Sequence, residues 1–342
     1  MVTGIEMLGS RGKPIATFGS SGDTSQQSFT SEFEILRADL ARILVDTAVR
    51  RPGVRIIYGE YISSISQSAD SAGPVRVEFA NGKLPTSQFD IVVAADGTLS
   101  HTRALATDKP AEADAHSIGG YNIAYFTASR AASDSPTHAR YYASPGSRGI
   151  LVRPSPVGTG VMFMFHKDGD IPRDVDAQKK LVAGVFDAVG WESPRLLAEM
   201  MECDDFYFQR LLQVKCAHWS IGRVVLLGDA ACAAFTGTGT GLALYGAYVL
   251  AGELGLALRN GRDVPSALAR YDTIARPYIE SVTNTPLGAA KLFLPQSRWG
   301  VAVLRAVIAL VYHLGLPKLF GWIGSWMDKK EEDVLPRYVW AD

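Results

Sequence analysis

The side chains best placed for chemistry lie where two buried-strand patterns run into loops. In Val224-Val-Leu-Leu-Gly-Asp-Ala-Ala231, an apolar run ends in Gly228-Asp229-Ala230, and glycines 237, 239 and 241 precede a long apolar stretch. A carboxylate at a strand's carboxyl end can accept hydrogen bonds from ligand hydroxyls. The glycines let a flat or phosphorylated ligand approach the backbone, and the helix behind them offers unpaired N–H donors. The pattern equally fits a tight strand-to-helix connection, with Asp229 as a local cap. Asp90-Ile-Val-Val-Ala-Ala-Asp-Gly97 repeats the theme, delivering Asp96 and Gly97 where open α/β sheets bind ligands. On its own, Asp96-Gly97 also reads as a plain turn. Arg37 falls in the first turn of a helix expected over Glu34–Val49, where a cation opposes the helix dipole. It is either a solvated charge or a group that holds a ligand phosphate. Arg42, about 140° further round the axis, does not form one stripe with it. No residue stands out as a catalytic acid or base. The six histidines are scattered and Cys203, Cys216 and Cys232 lack metal-ligand spacing, so no metal site is expected.

These junctions need strands and helices to hold them. Ile5–Leu8 and Pro14–Phe18 flank Gly9-Ser-Arg-Gly12 as a hairpin. Ser31-Glu-Phe-Glu34 has the form of a capping box ahead of the helix through Val49. Val54–Tyr58, Val75–Phe79 and Phe89–Ala95 read as strands. Between about Gly120 and Phe165, short aromatic and β-branched runs punctuated by Gly and Pro predict antiparallel sheet. Helices follow at Asp174–Val189 and Pro194–Met201, then the strand Val224–Leu227, then helices at Leu242–Leu258, Ser266–Thr283 and through much of Arg298–Trp326. This order suits a sheet inserted into one nucleotide-binding-like unit better than two domains in series.

The chain has 342 residues, 47% hydrophobic, which is ample for a core and excludes disorder or a disulfide-stapled miniprotein. A net charge of -1 gives no electrostatic reason to expect nucleic acid. Three cysteines and no apolar leader at Met1 point to a cytoplasmic protein. Ala306–Pro317 is strongly apolar but too short for a bilayer span. Segment 299–326 therefore reads as a buried helix pair, or as a helix making weak contact with a membrane surface or partner, Trp322 and Trp326 at the interface.

Together the motifs resemble the group A flavoprotein monooxygenases, the aromatic-ring hydroxylases with the p-hydroxybenzoate hydroxylase fold. That family's second nucleotide motif matches Asp96-Gly97 with Ser100 and Arg103. Its ribityl motif matches Gly228-Asp229-Ala230-Ala231 with Gly237, Gly239 and Gly241, and its Arg-x-x-Leu helix matches Arg37-Ala-Asp-Leu40. The resemblance implies an α/β fold, a Rossmann-like FAD-binding domain with an inserted, mostly antiparallel substrate sheet and a C-terminal helical region. The divisions would be 1–115 and 216–285 for FAD, 116–215 for substrate and 286–342 for the tail. It implies that NAD(P)H reduces FAD, that oxygen adds at flavin C4a, and that the hydroperoxide hydroxylates or epoxidises a small aromatic, polyketide or terpenoid substrate. Asp229 would bind the ribityl chain and the glycine loop would lie against the flavin ring. Tyr121, Tyr125, Phe163 and Phe165 would line a substrate pocket or simply form core.

Two departures stand beside the resemblance. The family opens with a strand, G-x-G-x-x-G and a helix that binds the ADP half of FAD, and no such motif occurs here. Residue 1 sits roughly 70 residues into the family pattern. The segment Cys232–Thr236 is also two residues shorter than usual and lacks a proline. The chain is then a truncated form of a working enzyme, an inactive flavin-free relative, or a cofactor-free cyclase, isomerase or binder that keeps the substrate pocket.

Overall fold

The computed structural model describes residues 2–19, 35, 37–68, 73–233, 238–283, 289–315 and 335–340. In chain order its strands and helices are β1 (Gly4–Leu8), β2 (Pro14–Gly19), α1 (Arg37–Val49), β3 (Ile62–Ser66), β4 (Val75–Phe79), β5 (Ser87–Phe89), β6 (Val92–Ala94) and α2 (His101–Thr107). The middle of the chain forms β7 (Ala115–Ala128), β8 (His138–Ser144), β9 (Arg148–Ser155), β10 (Gly158–His166), α3 (Val175–Phe186), α4 (Ser193–Glu202) and β11 (Tyr207–Lys215). Then come β12 (Ser220–Ile221), β13 (Val224–Leu226), β14 (Cys232–Ala233), α5 (Gly239–Arg259), α6 (Val264–Thr283), α7 (Ala289–Phe293) and α8 (Arg298–His313).

The chain divides into two units, one of residues 1–42, 119–211 and 287–330, the other of 43–118, 212–286 and 331–342. The chain's first 42 residues group with the inserted sheet. The cause is strand pairing: β1 runs parallel to β8 from Gly4↔His138 to Met7↔Tyr141, and β2 pairs antiparallel outside it.

In the first unit β10, β9 and β8 form an antiparallel meander, with β7 on the far side of β10. β10 alternates strictly: Val161, Phe163 and Phe165 are buried while Met162 and Met164 are half-buried on the other face. The buried face meets Val182 and Phe186 of α3 and Leu196 and Met200 of α4. The Phe163 and Phe186 rings sit 4.4 Å apart. Burying each such side chain stabilises the fold by about 1.5–3 kcal/mol. Asp174 starts α3 by accepting from the Ala177 N–H at 2.8 Å. The buried Lys179 donates to the carbonyls of Met201 and Cys203 at 3.1 and 2.7 Å, satisfying acceptors at the end of α4. Phe163 and Phe165 are thus core. Tyr125 shares the opposite face with its partner Met162, and Tyr121 is buried edge-on to His166.

α8 packs on β2 and β8, and Leu304, Arg305 and Ile308 close a small void with Met7, Ile15 and Tyr141. Arg305 donates to the Ala143 carbonyl at 2.8 Å and lies over the Tyr142 ring. Residues 316–326 of the expected tail helix lie outside the described residues, as do the capping-box residues 31–34.

In the second unit β3, β4 and β5 form an antiparallel sheet, and β12, β13 and β6 a three-stranded one with β13 central. α5 lies along α6, with Leu242, Tyr245, Val249 and Leu250 packed against Leu268, Tyr271, Ala275 and Ile279. Tyr271 donates to the Leu226 carbonyl at 3.2 Å, tying α6 to β13. By length and composition α5 is long and apolar enough to cross a membrane, and here much of its apolar surface is buried in this core. Residues 335–340 cover α5 as well. The Tyr338 ring stands so close to Gly252 that an added Cβ would lie 2.3 Å from it, and its hydroxyl donates to the buried Glu253 at 2.9 Å. Arg270 reaches the same carboxylate at 2.6 Å.

Several local expectations are corrected. Val54–Tyr58 forms no strand, while the polar Ile62–Ser66 does, because it has β4 to pair with. Phe89 ends β5, so the apolar run through Ala95 splits and only Val92–Ala94 continues as β6. β11 has no counterpart among the expected strands. Cys203, Cys216 and Cys232 are free thiols. Among the described residues no group of His, Cys, Asp and Glu is placed to hold a metal ion.

Candidate functional site

β6 and β13 run parallel in register, Val92↔Val224 through Ala94↔Leu226, and the Leu227 N–H continues the ladder to the Ala94 carbonyl at 2.9 Å. Parallel neighbours end on the same side, so Asp96-Gly97 and Gly228-Asp229 leave one sheet edge together. The sequence separates these two motifs by more than a hundred residues; the pairing makes them adjacent.

Each loop turns sharply at its glycine. Gly97 has φ 88° and Gly228 φ 59°, a conformation that other residues adopt only with strain. At Gly228 an added Cβ would press on Ala243 at 3.3 Å. Gly228–Ala230 then forms a single 3-10 turn, with Ala230 fully buried and Asp229 exposed.

Asp96 organises its own loop. Its carboxylate accepts from the Ser100 hydroxyl and from the Thr102 N–H at 2.9 Å. Ser100, fully buried, in turn caps α2 by accepting from the Arg103 N–H at 2.9 Å. Burial pulls the Asp96 pKa upward, but the bonds from Ser100 and Thr102 outweigh it and hold the acid below its ordinary value.

Arg103 connects the two loops. It is 1% exposed and donates to the carbonyls of Ala230 at 2.9 Å, Thr98 at 2.8 Å and Ala111 at 2.7 Å. Asp114 stands 3.9 Å away, so the buried cation faces one carboxylate and three carbonyls. The sequence marks Arg103 as part of a motif, but nothing in it reveals that this side chain is a buried tie. The only signal is its place three residues after a helix-capping Ser, which turns it inward on the first turn of α2.

Gly239 and Gly241 do not lie in a loop as the sequence suggests; they form the first turn of α5. The N-cap residue, Thr238, makes no side-chain cap to that turn, and the turn holds no acidic residue, so its N–H end carries uncompensated positive potential. Among the described residues nothing lies within 4 Å of where a Cβ would stand on Gly97 or Gly241, and at Gly239 an Asp229 carboxylate oxygen lies at 3.8 Å. Asp229 therefore sits beside the start of α5. An exposed acceptor, open glycine positions and an uncapped helix start suit a polyhydroxylated tether carrying a planar ring. Gly237 and the shortened stretch ahead of it lie outside the described residues. Arg37 lies in the first turn of α1, while Glu34, where the helix is expected to begin, lies outside the described residues; Arg42 pairs with Asp39 at 3.0 Å.

The FAD binding domain family matches residues 20–285. The FAD-dependent monooxygenase asL6 of Sarocladium schorii is 29% identical across 98% of this chain and 81% of its own length. Monooxygenase CTB7 of Cercospora beticola is 34% identical across 92% of this chain and 74% of its own. Among solved structures, the tetracycline destructase Tet(55) superposes with a TM-score of 0.71 at 27% identity, covering 99% of this chain and 81% of that one. Relatives named as monooxygenases favour the oxygenase expectation over the flavin-free one.

Proposed function

The chain belongs to the FAD binding domain family of flavoprotein monooxygenases, and on that premise we propose that it oxygenates a small aromatic, polyketide or terpenoid molecule, with the flavin tether seated on Asp229. The adjacency of the two acidic loops at one parallel sheet edge carries this reading. Tet(55) is named for tetracycline, a fused-ring compound, and supports a substrate of that class.

FAD, when bound, would supply the two-electron chemistry by which NAD(P)H and O2 place one oxygen atom on the substrate and the other in water. The chain's own residues position it. Asp229 accepts hydrogen bonds from the tether hydroxyls, and Gly97, Gly239 and Gly241 leave the backbone bare for close approach. The first turn of α5 directs its N–H groups at electron-rich atoms, and Arg103 holds the two loops at a fixed separation. In the first unit, the half-buried face of β10 with Met162, Met164 and the neighbouring Tyr125 is apolar and aromatic. The seat is for the ribityl half. Residues 1–342 contain no G-x-G-x-x-G to cradle the pyrophosphate.

The purified chain, incubated with FAD and gel-filtered, should retain flavin fluorescence and consume NAD(P)H with oxygen uptake when given fused-ring phenols. D229A should reduce flavin retention at least tenfold while its circular dichroism stays that of the wild type. Undiminished occupancy in D229A removes Asp229 from the seat.

A further inference from the structure

Helix α8 is apolar on two faces, and among the described residues one packs on the sheet while the other is exposed. Val301, Leu304 and Ile308 face the sheet of the first unit. Trp299, Val303, Val307, Leu310 and Leu314, spaced 4, 4, 3 and 4 residues apart, fall within about 80° of arc on the other side. They are 82%, 56%, 48%, 59% and 59% exposed. Leu292 and Phe293 of α7 are likewise apolar, at 67% and 42% exposure. A helix that is hydrophobic all round belongs inside a core or against something that replaces water.

The charge pattern identifies what replaces it. No Asp or Glu occurs between Glu280 and Asp328, although the chain carries 35 acidic residues; the interval holds Lys291, Arg298, Arg305 and Lys318. Arg305 is spent on the Ala143 carbonyl, but Lys291 of α7 and Arg298 of α8 are exposed, and His313 flanks the stripe's far end. A surface-lying helix presents an apolar stripe to acyl chains, aromatic rings at headgroup depth and cations to anionic lipid. At 16 residues α8 is too short to span a bilayer. We propose that α7 and α8 dock the protein on an anionic membrane surface, the stripe from Trp299 to Leu314 entering the headgroup boundary.

This docking goes beyond the oxygenase reading and is tested without reference to flavin. The full chain should co-sediment with phosphatidylcholine vesicles containing about a quarter phosphatidylserine, and at least tenfold less with phosphatidylcholine alone. V307E/L310E, changed only at exposed positions, should melt like the wild type and lose at least tenfold in binding. R298E, outside the stripe, should weaken binding to the anionic vesicles severalfold and leave the weak binding to neutral ones unchanged. Failure of the wild type to bind anionic vesicles overturns the proposal, as does equal binding by both variants. Self-association that V307E/L310E abolishes, in a chain that binds no vesicle, assigns the stripe to a second copy and equally overturns it.

Discussion

Strand β10 sends Val161, Phe163 and Phe165 beneath α3 and α4, whereas the parallel pair β6 and β13 contributes three residues each and depends on Arg103 at its ends. The first sheet is held by non-directional burial spread over many side chains, so a lost contact costs in proportion to the volume removed. The second leaves Val93 44% exposed and gains its precision from hydrogen bonds converging on one cation. Such a network is specific and brittle, because removing one partner strands several others. A site that must hold two loops at a fixed separation gains more from the second kind of support.

The contrast can be broken by experiment. Phe163→Ala should lower the unfolding free energy by about 3–5 kcal/mol in urea titration, yet leave flavin retained per folded molecule unchanged. A parallel loss of flavin would mean the two supports are not separable. Arg103→Met keeps side-chain volume but removes the charged donor from the carbonyls of Ala230, Thr98 and Ala111. It should cost about 2–4 kcal/mol and also loosen flavin retention, with Arg103→Lys recovering only part. Normal retention in R103M would show that the loops hold themselves. Asp96→Asn should cost about 1 kcal/mol, since the site is partly exposed to solvent and its charge-assisted bonds are screened. Because folding lowers the Asp96 pKa from 3.8, its contribution is full above that value and fades as pH falls through the lowered one. The acid-side stability curves of wild type and D96N should therefore converge at low pH; curves that stay parallel would exclude the linkage.

Those same residues mark where the sequence was readable. β10 and α3 were legible because alternation and a capping Asp174 are local signals. Val54–Tyr58 misled because β-branched residues favour a strand only when a partner is within reach. The polar Ile62–Ser66 was overlooked for the converse reason, its partner β4 being supplied by tertiary structure. Gly239 and Gly241 read as loop because glycine is a poor helix former, yet an uncapped helix start tolerates it. The motifs at Asp96 and Asp229 were visible, and their adjacency required the parallel pairing of β6 with β13. The tie through Arg103 lay beyond any local reading, since two of its acceptors are backbone carbonyls outside its helix and loop.

Tyr338 lies on Gly252 with its hydroxyl on Glu253, so Pro336–Trp340 behaves as a tethered peptide ligand of α5, held at high effective concentration by its own chain. A short aromatic peptide of that sequence should then compete for the slot in trans. Any side chain at position 252, even a single methyl group, would evict the natural occupant and leave the Glu253 carboxylate with Arg270 as its one remaining named partner.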